Sequence, residues 1–587
     1  MATCRLYCQF TVRRGVGIAS KRSFTSHSSV ASLASRRLKI DPPVEPETTS
    51  ENDFILSVLR AGPSLRDTKS YLASILNPIK RRAALVKLHG PFTDRQLESV
   101  AQGLEYLDKL GLVSVIVVER DDWERGSASE RADVIGEIMR VAKALEDQGA
   151  RARPIPGPIV RLGPNPALEE DRELETIEAH VLPKDLTELR SALRSGEMPV
   201  LPPFALDSFS RSLRVDSNDV IAALVRGMME AAALDMSPSM LSENFDLTPL
   251  RLMIINREGG IPSYARSGLP HLLINLGAEV DHIHETFLPK WKLTHPTALS
   301  NLRLARTCLS YMPRTSSAVI VSHRSPKSLI ANLITNKPAH SSSLPHALLS
   351  GPKSITPHTP TLIRHGLPIR VIRQAGEIDQ EKMTALLEQS FGRKLESKPF
   401  YDRLQKDLDF AIVAGDYAGA AIVTSERGSN PHDPPLTYLD KFAVLPSHQG
   451  DGTVDFLWVA LHDESYGLGL TSALNPNVGG KQGRGTGRDL VWRSRANNPV
   501  NKWYYERSSG HLRLGDWVMF WCDAEERLAR REAEKKEQLD GREVWRGKKR
   551  GIEGLSFVED EERARLDRWG KIVTAIKSSW LPRKTVL

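Results

Sequence analysis

A short loop with two glycines is the first place where this sequence could hold a ligand. Residues 448–453 read HQGDGT and stand between an apolar strand-like segment and an amphipathic helix-like one. Two glycines at such a junction let consecutive backbone N–H groups point into one concavity, and the start of a helix adds partial positive charge. The loop therefore predicts a pyrophosphate-binding turn, although a plain turn is the commoner use of so short a motif. The candidate contacts are Gln449, Gly450, Asp451, Gly452 and Thr453.

Basic side chains on either side of this loop suit a small acidic substrate. Arg493 and Arg495 are two residues apart in an apolar run, so on a strand both side chains point to the same face. Two guanidinium groups there can hold a dicarboxylate, and Lys441 adds a third positive charge. Paired arginines on a strand are more often surface ion-pair residues, and the residue pattern leaves that alternative open.

The order of these segments resembles a known family. The spacing Gln449-x-x-Gly452 is similar to the acyl-CoA loop of the GNAT acetyltransferase superfamily. With that loop, the segments LDKF at 439–442, WRSR at 492–495 and NPVNKWY at 498–504 resemble the catalytic domain of fungal and vertebrate-like N-acetylglutamate synthases. The resemblance spans residues 367–523. It implies direct acetyl transfer from acetyl-CoA to the α-amine of L-glutamate, as the first step of arginine biosynthesis, with Lys441, Arg493 and Arg495 as substrate contacts.

Three further roles follow from the resemblance. Tyr504 is placed to protonate the departing CoA thiolate as a general acid, and the Asn498 amide to orient the substrate or polarise the acetyl carbonyl. Lys394 matches a substrate-contacting lysine. A tyrosine beside a tryptophan is otherwise more often core packing, and the adjacent Tyr505 is the residue with which Tyr504 is most easily confused. No general base can be named.

The chain before this region predicts a separate, mostly parallel α/β domain. Strand-like segments at 84–88, 112–118 and 252–255 alternate with helix-like segments at 94–110 and 216–230. Residues 198–203, 215–219 and 252–261 resemble the amino-acid kinase family, in particular N-acetylglutamate kinase. That family cradles phosphate on glycine-rich strand ends, whereas this chain has His89 after its first strand and the charged residues 119–122 after its second. We therefore expect no phosphate transfer and, by resemblance, feedback inhibition by L-arginine. A purely structural domain is the alternative.

Composition and charge narrow the class of protein further. The net charge is +8, and residues 1–40 alone carry eight Lys or Arg residues and no acidic residue, so the rest of the chain is formally neutral. A basic, Ser-rich and acid-free segment is typical of a mitochondrial transit peptide, with a disordered basic tail as the alternative. The neutral remainder argues against nucleic acid as a partner. No apolar run approaches the roughly 18 residues of a membrane helix, and the four cysteines predict no metal site.

These observations predict five regions. They are a transit peptide at 1–40, a degenerate kinase-like regulatory domain at 53–340, a linker at 341–366, a GNAT domain at 367–560 and a C-terminal helix at 561–587. The predicted fold class is α/β, with a parallel-sheet first domain and an α+β second domain. We expect a mitochondrial-matrix homo-oligomer, which could also bind N-acetylglutamate kinase. Two alternatives remain: a non-catalytic arginine sensor that regulates that kinase, and a GNAT enzyme for another small acidic amine.

Overall fold

The computed structural model describes residues 81–163, 179–235, 245–264, 266, 268–324, 338, 340–344, 355–462, 488–524 and 560–581. The predicted transit peptide and the first part of the kinase-like domain, up to residue 80, lie outside these residues.

The first domain is built on an eight-stranded, mostly parallel sheet. Its strands are β1 (Arg81–Gly90), β2 (Leu112–Arg120), β3 (Ala152–Pro154), β6 (Met198–Leu201), β9 (Phe245–Asn256), β10 (Leu273–Asn275), β11 (Ser317–Ser322) and β12 (Thr361–Arg364). Their order is β10-β12-β11-β9-β1-β2-β6-β3, and β11–β12 is the one antiparallel pair. The apolar segments at 84–88, 112–118 and 252–255 lie in β1, β2 and β9, because runs of apolar residues suit strands covered on both faces.

Helices and a small second sheet complete this domain. The helices are α1 (Asp94–Lys109), α2 (Glu130–Asp147), α3 (Thr187–Arg194), α4 (Ser217–Asp235), α5 (Leu276–Thr286), α6 (Trp291–Thr294) and α7 (Ala298–Tyr311). The small sheet has the order β5-β4-β7-β8, from β4 (Val160–Leu162), β5 (Ala179–His180), β7 (Phe204–Leu206) and β8 (Ser212–Arg214). Helix α1 buries Leu97, Val100, Leu104 and Leu107, which are three or four residues apart, as an amphipathic helix on a sheet should.

Part of the predicted linker, 341–366, belongs to the first sheet. Residues 361–364 form β12, which pairs with β10 on one side and β11 on the other, and all four side chains are buried. Its sequence, TLIR, is a short strand inside a segment whose Ser, Pro and His content favours a loop. Four residues, 365–368, connect β12 to the second domain.

The second domain contains a seven-stranded, mostly antiparallel sheet. Its strands are β13 (Ile369–Ile372), β14 (Leu408–Ala414), β15 (Gly419–Glu426), β16 (Leu436–Val444), β17 (Leu490–Arg495), β18 (Gly510–Leu514) and β19 (Trp517–Cys522), in the order β13-β14-β15-β16-β17-β19-β18. The central pair, β16 and β17, is parallel and joined at a single position, Tyr438 opposite Val491. Both strands are described in full, and beyond this position they form no further pair, which leaves a gap between them toward the end of β16 at Val444.

Helices pack against this sheet in three groups. They are α8 (Gln380–Phe391), α9 (Ser397–Asp407), α10 (Thr453–His462), α11 (Asn501–Arg507) and α12 (Asp560–Ala575). Helix α10 packs into one cluster of buried residues with β14–β17 and β19, α8 and α9 into a second, and α12 into a third. The predicted fold class, a parallel α/β domain followed by an α+β domain, is confirmed.

The C-terminal helix is a component of the second domain. Trp569 and Val573 of α12 are buried against Tyr438, Val491 and Trp521. The helix ends at Ala575, and residues 576–581 continue without helical structure. The prediction placed this helix in a separate region, 561–587, because its amphipathic pattern does not reveal which surface it covers.

Candidate active site

The glycine loop has the conformation that its sequence predicts. Gly450 and Gly452 have φ angles of 98° and 94°, in the left-handed region that favours glycine. The Asp451 carboxylate accepts hydrogen bonds from the Thr453 backbone N–H at 3.0 Å and from the Thr453 hydroxyl at 2.6 Å, so it caps the start of α10. Within the described chain, the amides of Gly450 and Gly452 have no acceptor. They are therefore the donors that the loop can offer to a phosphate.

The other loop residues stabilise this conformation. Gln449 donates from its side chain to the Val444 carbonyl at 3.4 Å, and His448 Nδ1 lies 2.9 Å from an Asp451 carboxylate oxygen. Gln449, Asp451 and Thr453 thus make internal contacts. The loop lies at the end of β16, where the gap between β16 and β17 opens, so an extended ligand in that gap would have its phosphate end at the loop.

Lys441 lies on β16 in a buried network of charged side chains. Its Nζ is 2.7 Å from the Asp440 carboxylate, and Asp440 also pairs with Arg403 at 2.6 Å. Asp440 is the extra residue of a β-bulge, since Ile422 pairs with Lys441 and Val423 with Leu439. Burial lowers the pKa of Lys441, while Asp440 opposes that shift. Burial also opposes the ionisation of Asp440, but Lys441 and Arg403 outweigh it and keep the pKa below its usual value.

Arg493 and Arg495 share one face of β17, as the two-residue spacing predicts. Their guanidinium carbons lie 4.7 and 5.1 Å from the centre of the same ring, Trp517. Arg493 also donates to two main-chain carbonyls at the end of α12, those of Val573 and, at 2.7 Å, Ile576. A guanidinium has five N–H donors, so three remain. Arg493 therefore holds the end of α12, whereas Arg495 is exposed.

Tyr504 lies on α11, which follows β17. Its ring packs at 5.5–5.6 Å against Trp492, Trp503 and Phe520 and is half-buried. Burial raises the pKa of Tyr504 to about 12. The phenol is therefore protonated at neutral pH, as a general acid must be. Tyr505 is 44% exposed and packs against His511 and Phe520 instead.

Asn498 connects β17 to the helix that carries Tyr504. Its amide donates to the Ser494 hydroxyl at 2.8 Å, and its side-chain oxygen accepts from the Val500 N–H at 3.1 Å. These contacts give Asn498 a structural task at the start of α11, which the sequence-based assignment to substrate did not include.

The side chain of Lys394 lies at the surface, in contact with helix α8. Its Nζ pairs with Glu388 at 2.6 Å, and the Lys394 side chain is 77% exposed. The hydrogen bond from Lys394 lowers the pKa of Glu388. The backbone of Lys394 accepts a hydrogen bond from the Leu581 N–H, so only its main chain is tied to the C-terminal segment.

A second buried cluster was not foreseen from the sequence. Arg507 of α11 donates to the hydroxyls of Ser343 at 2.7 Å and Ser341 at 2.9 Å, and both hydroxyls donate to Asp455 of α10. Residues 341–344, which precede the second domain, thus join the helix after the glycine loop to the helix with Tyr504. More than 100 residues separate the partners in sequence, so no local pattern could reveal the contact.

The strand ends of the first domain are occupied by internal contacts. The Nζ of Lys87, on β1, is buried and lies 2.8 Å from Asn218 and 3.6 Å from Glu119. His89 Nε2 lies 2.7 Å from Asp121, which also pairs with Arg257. Burial lowers the pKa of Lys87, with Glu119 opposing. The charged residues at the end of β2 thus carry two carboxylates, Glu119 and Asp121, which pair with Lys87, His89 and Arg257.

Two features, a membrane-spanning helix and a metal-binding cluster, were sought in the described part of the molecule and are absent from it. No helix there is long and apolar enough to cross a membrane. No group of three or more His, Cys, Asp or Glu side chains is arranged there to hold a metal ion.

Comparison with known proteins identifies the family. The family model for the N-acetyltransferase (NAT) of N-acetylglutamate synthase matches residues 370–472 and 484–535. A solved structure, N-acetylglutamate synthase from Neisseria gonorrhoeae complexed with coenzyme A and N-acetyl-glutamate, covers 78% of this chain and 99% of its own, at 13% identity and a TM-score of 0.40. That likeness is too low to bear on the chemistry of this chain.

Two fungal relatives match nearly the whole chain. The mitochondrial amino-acid acetyltransferase of Coprinopsis cinerea is 57% identical, over 96% of this chain and 97% of the relative. That of Laccaria bicolor is 58% identical, over 90% and 99%. With such identity across both of its domains, this chain belongs to the mitochondrial amino-acid acetyltransferases.

Proposed function

We propose that this enzyme transfers acetyl from acetyl-CoA to the α-amine of L-glutamate and releases CoA and N-acetyl-L-glutamate. One observation carries the proposal: the glycine loop and the basic residues border the same gap between β16 and β17. The loop follows β16, Lys441 lies on β16, and Arg493 and Arg495 lie on β17. Acetyl-CoA extended along the gap, with its pyrophosphate on the amides of Gly450 and Gly452, would bring its thioester toward these cations.

The basic residues favour an acidic amino acid as the acceptor. Lys441, Arg495 and the remaining donors of Arg493 can hold carboxylates, since charge-assisted hydrogen bonds are the strong ones. The neutral α-amine attacks the acetyl carbonyl, an N–C bond forms and the C–S bond breaks. The amine releases a proton to solvent water, the sulfur takes one from Tyr504, and solvent water returns a proton to Tyr504. Holding both substrates in one gap supplies a large share of the rate.

One assay tests the proposal. Protein spanning residues 25–587 is incubated with acetyl-CoA and a panel of amino acids, and the release of free CoA is followed. We expect release with glutamate, and much less with glutamine, which lacks the second carboxylate. Equal use of glutamine and glutamate would refute the dicarboxylate site. Release with a different acidic amine alone would establish the alternative GNAT function, and no release with any would favour the non-catalytic regulator.

We also infer that L-arginine binds the first domain and inhibits the second. The two domains meet at the acetyl-CoA loop, where a Cβ on Gly452 would lie 3.4 Å from Leu273 Cδ2 of β10. A conformational change at the β10–β12 edge of the first sheet would therefore be transmitted directly to the loop. The homo-oligomer and the complex with N-acetylglutamate kinase stay predictions.

The names of the relatives support a mitochondrial location. We propose that residues 1–40 direct the chain to the matrix and are removed there. Import into isolated mitochondria, followed by N-terminal sequencing of the protected product, tests this. A full-length product that remains accessible to added protease would contradict it.

A further inference from the structure

The last described residues of the chain run beside the proposed acceptor site. Residues 578–581, which we call the C-terminal strap, pair antiparallel with residues 394–396. The Glu396 N–H donates to the Ser579 carbonyl at 3.0 Å, and the Leu581 N–H donates to the Lys394 carbonyl at 3.0 Å. Leu395 and Trp580 face each other between these two hydrogen bonds.

The strap covers Lys441. Its Nζ lies 3.4 Å from the Ser579 hydroxyl, and 5.8 and 5.3 Å from the ring centres of Trp580 and Phe400. With Asp440 as its ion-pair partner, Lys441 is only 7% exposed. Phe400 and Asp440 belong to helix α9 and strand β16, which are fixed parts of the domain. Ser579 and Trp580 are the neighbours that lie outside helices and sheets.

A substrate carboxylate that reaches Lys441 must therefore take the place of the strap. We propose that the C-terminal strap covers the acceptor site while that site is empty, with Ser579 and Trp580 lying on Lys441, and that it is displaced when glutamate binds. The inference rests on the proposed function, because it takes Lys441 as a carboxylate-binding residue. The strap lies beyond residue 535, where the match to the family model ends.

The contacts on either side of the strap show why it can move while α12 stays in place. Helix α12 is held by the buried side chains of Trp569 and Val573 and by the hydrogen bonds from Arg493. The strap is held by two main-chain hydrogen bonds, by hydrogen bonds from Arg393 to the Leu581 carbonyl at 3.2 Å and from Lys441 to the Ser579 hydroxyl at 3.4 Å, and by Trp580. The Trp580 ring lies 4.9 Å from the Phe391 ring and 5.8 Å from the Arg393 guanidinium carbon. The net contribution of a single hydrogen bond to stability is small, because its donor and acceptor bond to water when the contact opens. Opening the strap therefore breaks few interactions and leaves the domain core intact.

A reversible crosslink tests the proposal. Leu395 and Trp580 form a non-hydrogen-bonded antiparallel pair, in which the Cα atoms are close enough for a disulfide. The full chain with L395C and W580C, and with serine at Cys4 and Cys8, is oxidised, and mass spectrometry confirms the crosslink. The remaining native cysteines, Cys308 and Cys522, are buried.

The reduced form of the same variant is the matched control. We expect the oxidised enzyme to lose at least roughly tenfold in kcat/KM for glutamate and to recover it on reduction, because a locked cover excludes the substrate. Its affinity for CoA, measured by calorimetry, should not change. Equal glutamate turnover in the two forms would overturn the proposal. If the unmodified enzyme also fails to acetylate glutamate, the proposed function fails and not the cover alone.

Hydrogen exchange on the unmodified full chain gives an independent test, which no folding defect of the variant can affect. With CoA and L-glutamate present together, the amides of Glu396 and Leu581 should exchange at least severalfold faster than with CoA alone. Both amides donate the hydrogen bonds that join the strap to residues 394–396. The Val573 and Trp569 amides of α12 should not change. Unchanged or slower exchange at Glu396 and Leu581 would show that the strap stays in place when glutamate binds.

Discussion

At the scale of single residues, Tyr504 offers the sharpest test of mechanism. Its ring is held by Trp492, Trp503 and Phe520, and Tyr504→Phe removes one hydroxyl with little change in volume. If the phenol protonates the leaving thiolate, kcat should fall by roughly 10²-fold, the usual scale of general-acid assistance. Both Michaelis constants should stay within a few-fold, because the interaction is made in the transition state. Steady-state kinetics with each substrate varied measures this.

The neighbouring tyrosine provides the control. Tyr505→Phe should leave kcat nearly unchanged, since Tyr505 is 44% exposed and packs against His511 and Phe520 rather than against Trp492 and Trp503. Because burial raises the pKa of Tyr504 to about 12, its deprotonation should not produce an alkaline loss of activity below about pH 10. An equal loss of turnover in the two variants would show that Tyr504 is not the acid.

The two arginines of β17 should differ when each is changed to alanine. Both variants should weaken glutamate use by roughly 2 kcal/mol, because a bound carboxylate loses a charged partner. Arg493→Ala should also lower the thermal midpoint, since the carbonyls of Val573 and Ile576 lose their donor. Arg495→Ala should leave it unchanged. Kinetics and thermal unfolding of both variants separate binding from support of α12, and identical midpoints would contradict the structural role of Arg493.

At the scale of elements, the loop before α10 depends on the conformation of Gly452. Its φ angle is 94°, and a side chain there would also approach Phe456 and Leu273. Gly452→Val should therefore raise the KM for acetyl-CoA strongly. Gly111→Val is a matched control, because Gly111 also has a positive φ, of 83°, but has open space around it and lies in the first domain. An unchanged KM in a folded Gly452→Val enzyme would argue against the loop as the pyrophosphate site.

The contact between helices α10 and α11 can be tested through three consecutive serines. Ser343→Ala leaves the buried Arg507 without one acceptor, which should cost about 1–3 kcal/mol of unfolding free energy. Ser342→Ala is the control, because among the described residues its buried hydroxyl has no hydrogen-bond partner, so its loss should be neutral or stabilising. Urea denaturation of the two variants measures the difference. A larger loss of stability in Ser342→Ala would contradict the role given to Ser343.

Sequence patterns predicted the helices and strands whose defining residues lie close together in the chain. A strand carrying Arg493 and Arg495 on one face was predicted, and β17 is that strand, since its apolar residues and paired arginines form one short run. Helix α9, with the sequence SKPFYDRLQKD, was missed, because its buried residues Phe400, Tyr401 and Leu404 are few among polar ones. Its Arg403 completes the network around Asp440, so the charged surroundings of Lys441 could not be predicted either. The conformation of the loop glycines could be predicted, because a positive φ angle is a requirement of the backbone itself.

At the scale of the whole molecule, the first domain should bind arginine and not ATP. Lys87 is engaged by Asn218 and Glu119, and the carboxylate of Asp121 pairs with His89 near the ends of β1 and β2, where a second negative charge would be repelled. Calorimetry on protein spanning residues 25–587 should therefore show no heat of ATP binding, whereas arginine should bind and lower the rate of acetyl transfer. Phosphorylation of N-acetylglutamate by the purified enzyme would overturn this expectation, and binding of arginine without a change in rate would leave the domain a structural role.

The division of the molecule was harder to predict than its elements. A segment rich in Ser, Pro and His favours a linker by composition, yet Thr361–Arg364 completes the first sheet, and Ser341 and Ser343 lie between two helices of the second domain. The composition of a segment indicates the conformation that it favours without tertiary contacts. The contacts of residues 341–344 depend on partners more than 100 residues away, which only the folded chain brings together.

The short connection after β12 has a consequence for how the enzyme can be regulated. Between Arg364 and Ile369 the chain spans at most roughly 18 Å. It is held by the Asn275 side chain, which donates to the Leu367 carbonyl at 2.8 Å. A flexible linker would let the two domains adopt many relative orientations. A conformational change in one domain would then have little effect on the other. Here covalent geometry restricts how far the first domain, which we propose binds arginine, can move relative to the catalytic domain. Any effector is therefore expected to act by transmitted strain at a stiff joint, and a variant lengthened by a few glycines after Gly366 should keep acetyl transfer while losing its response to arginine.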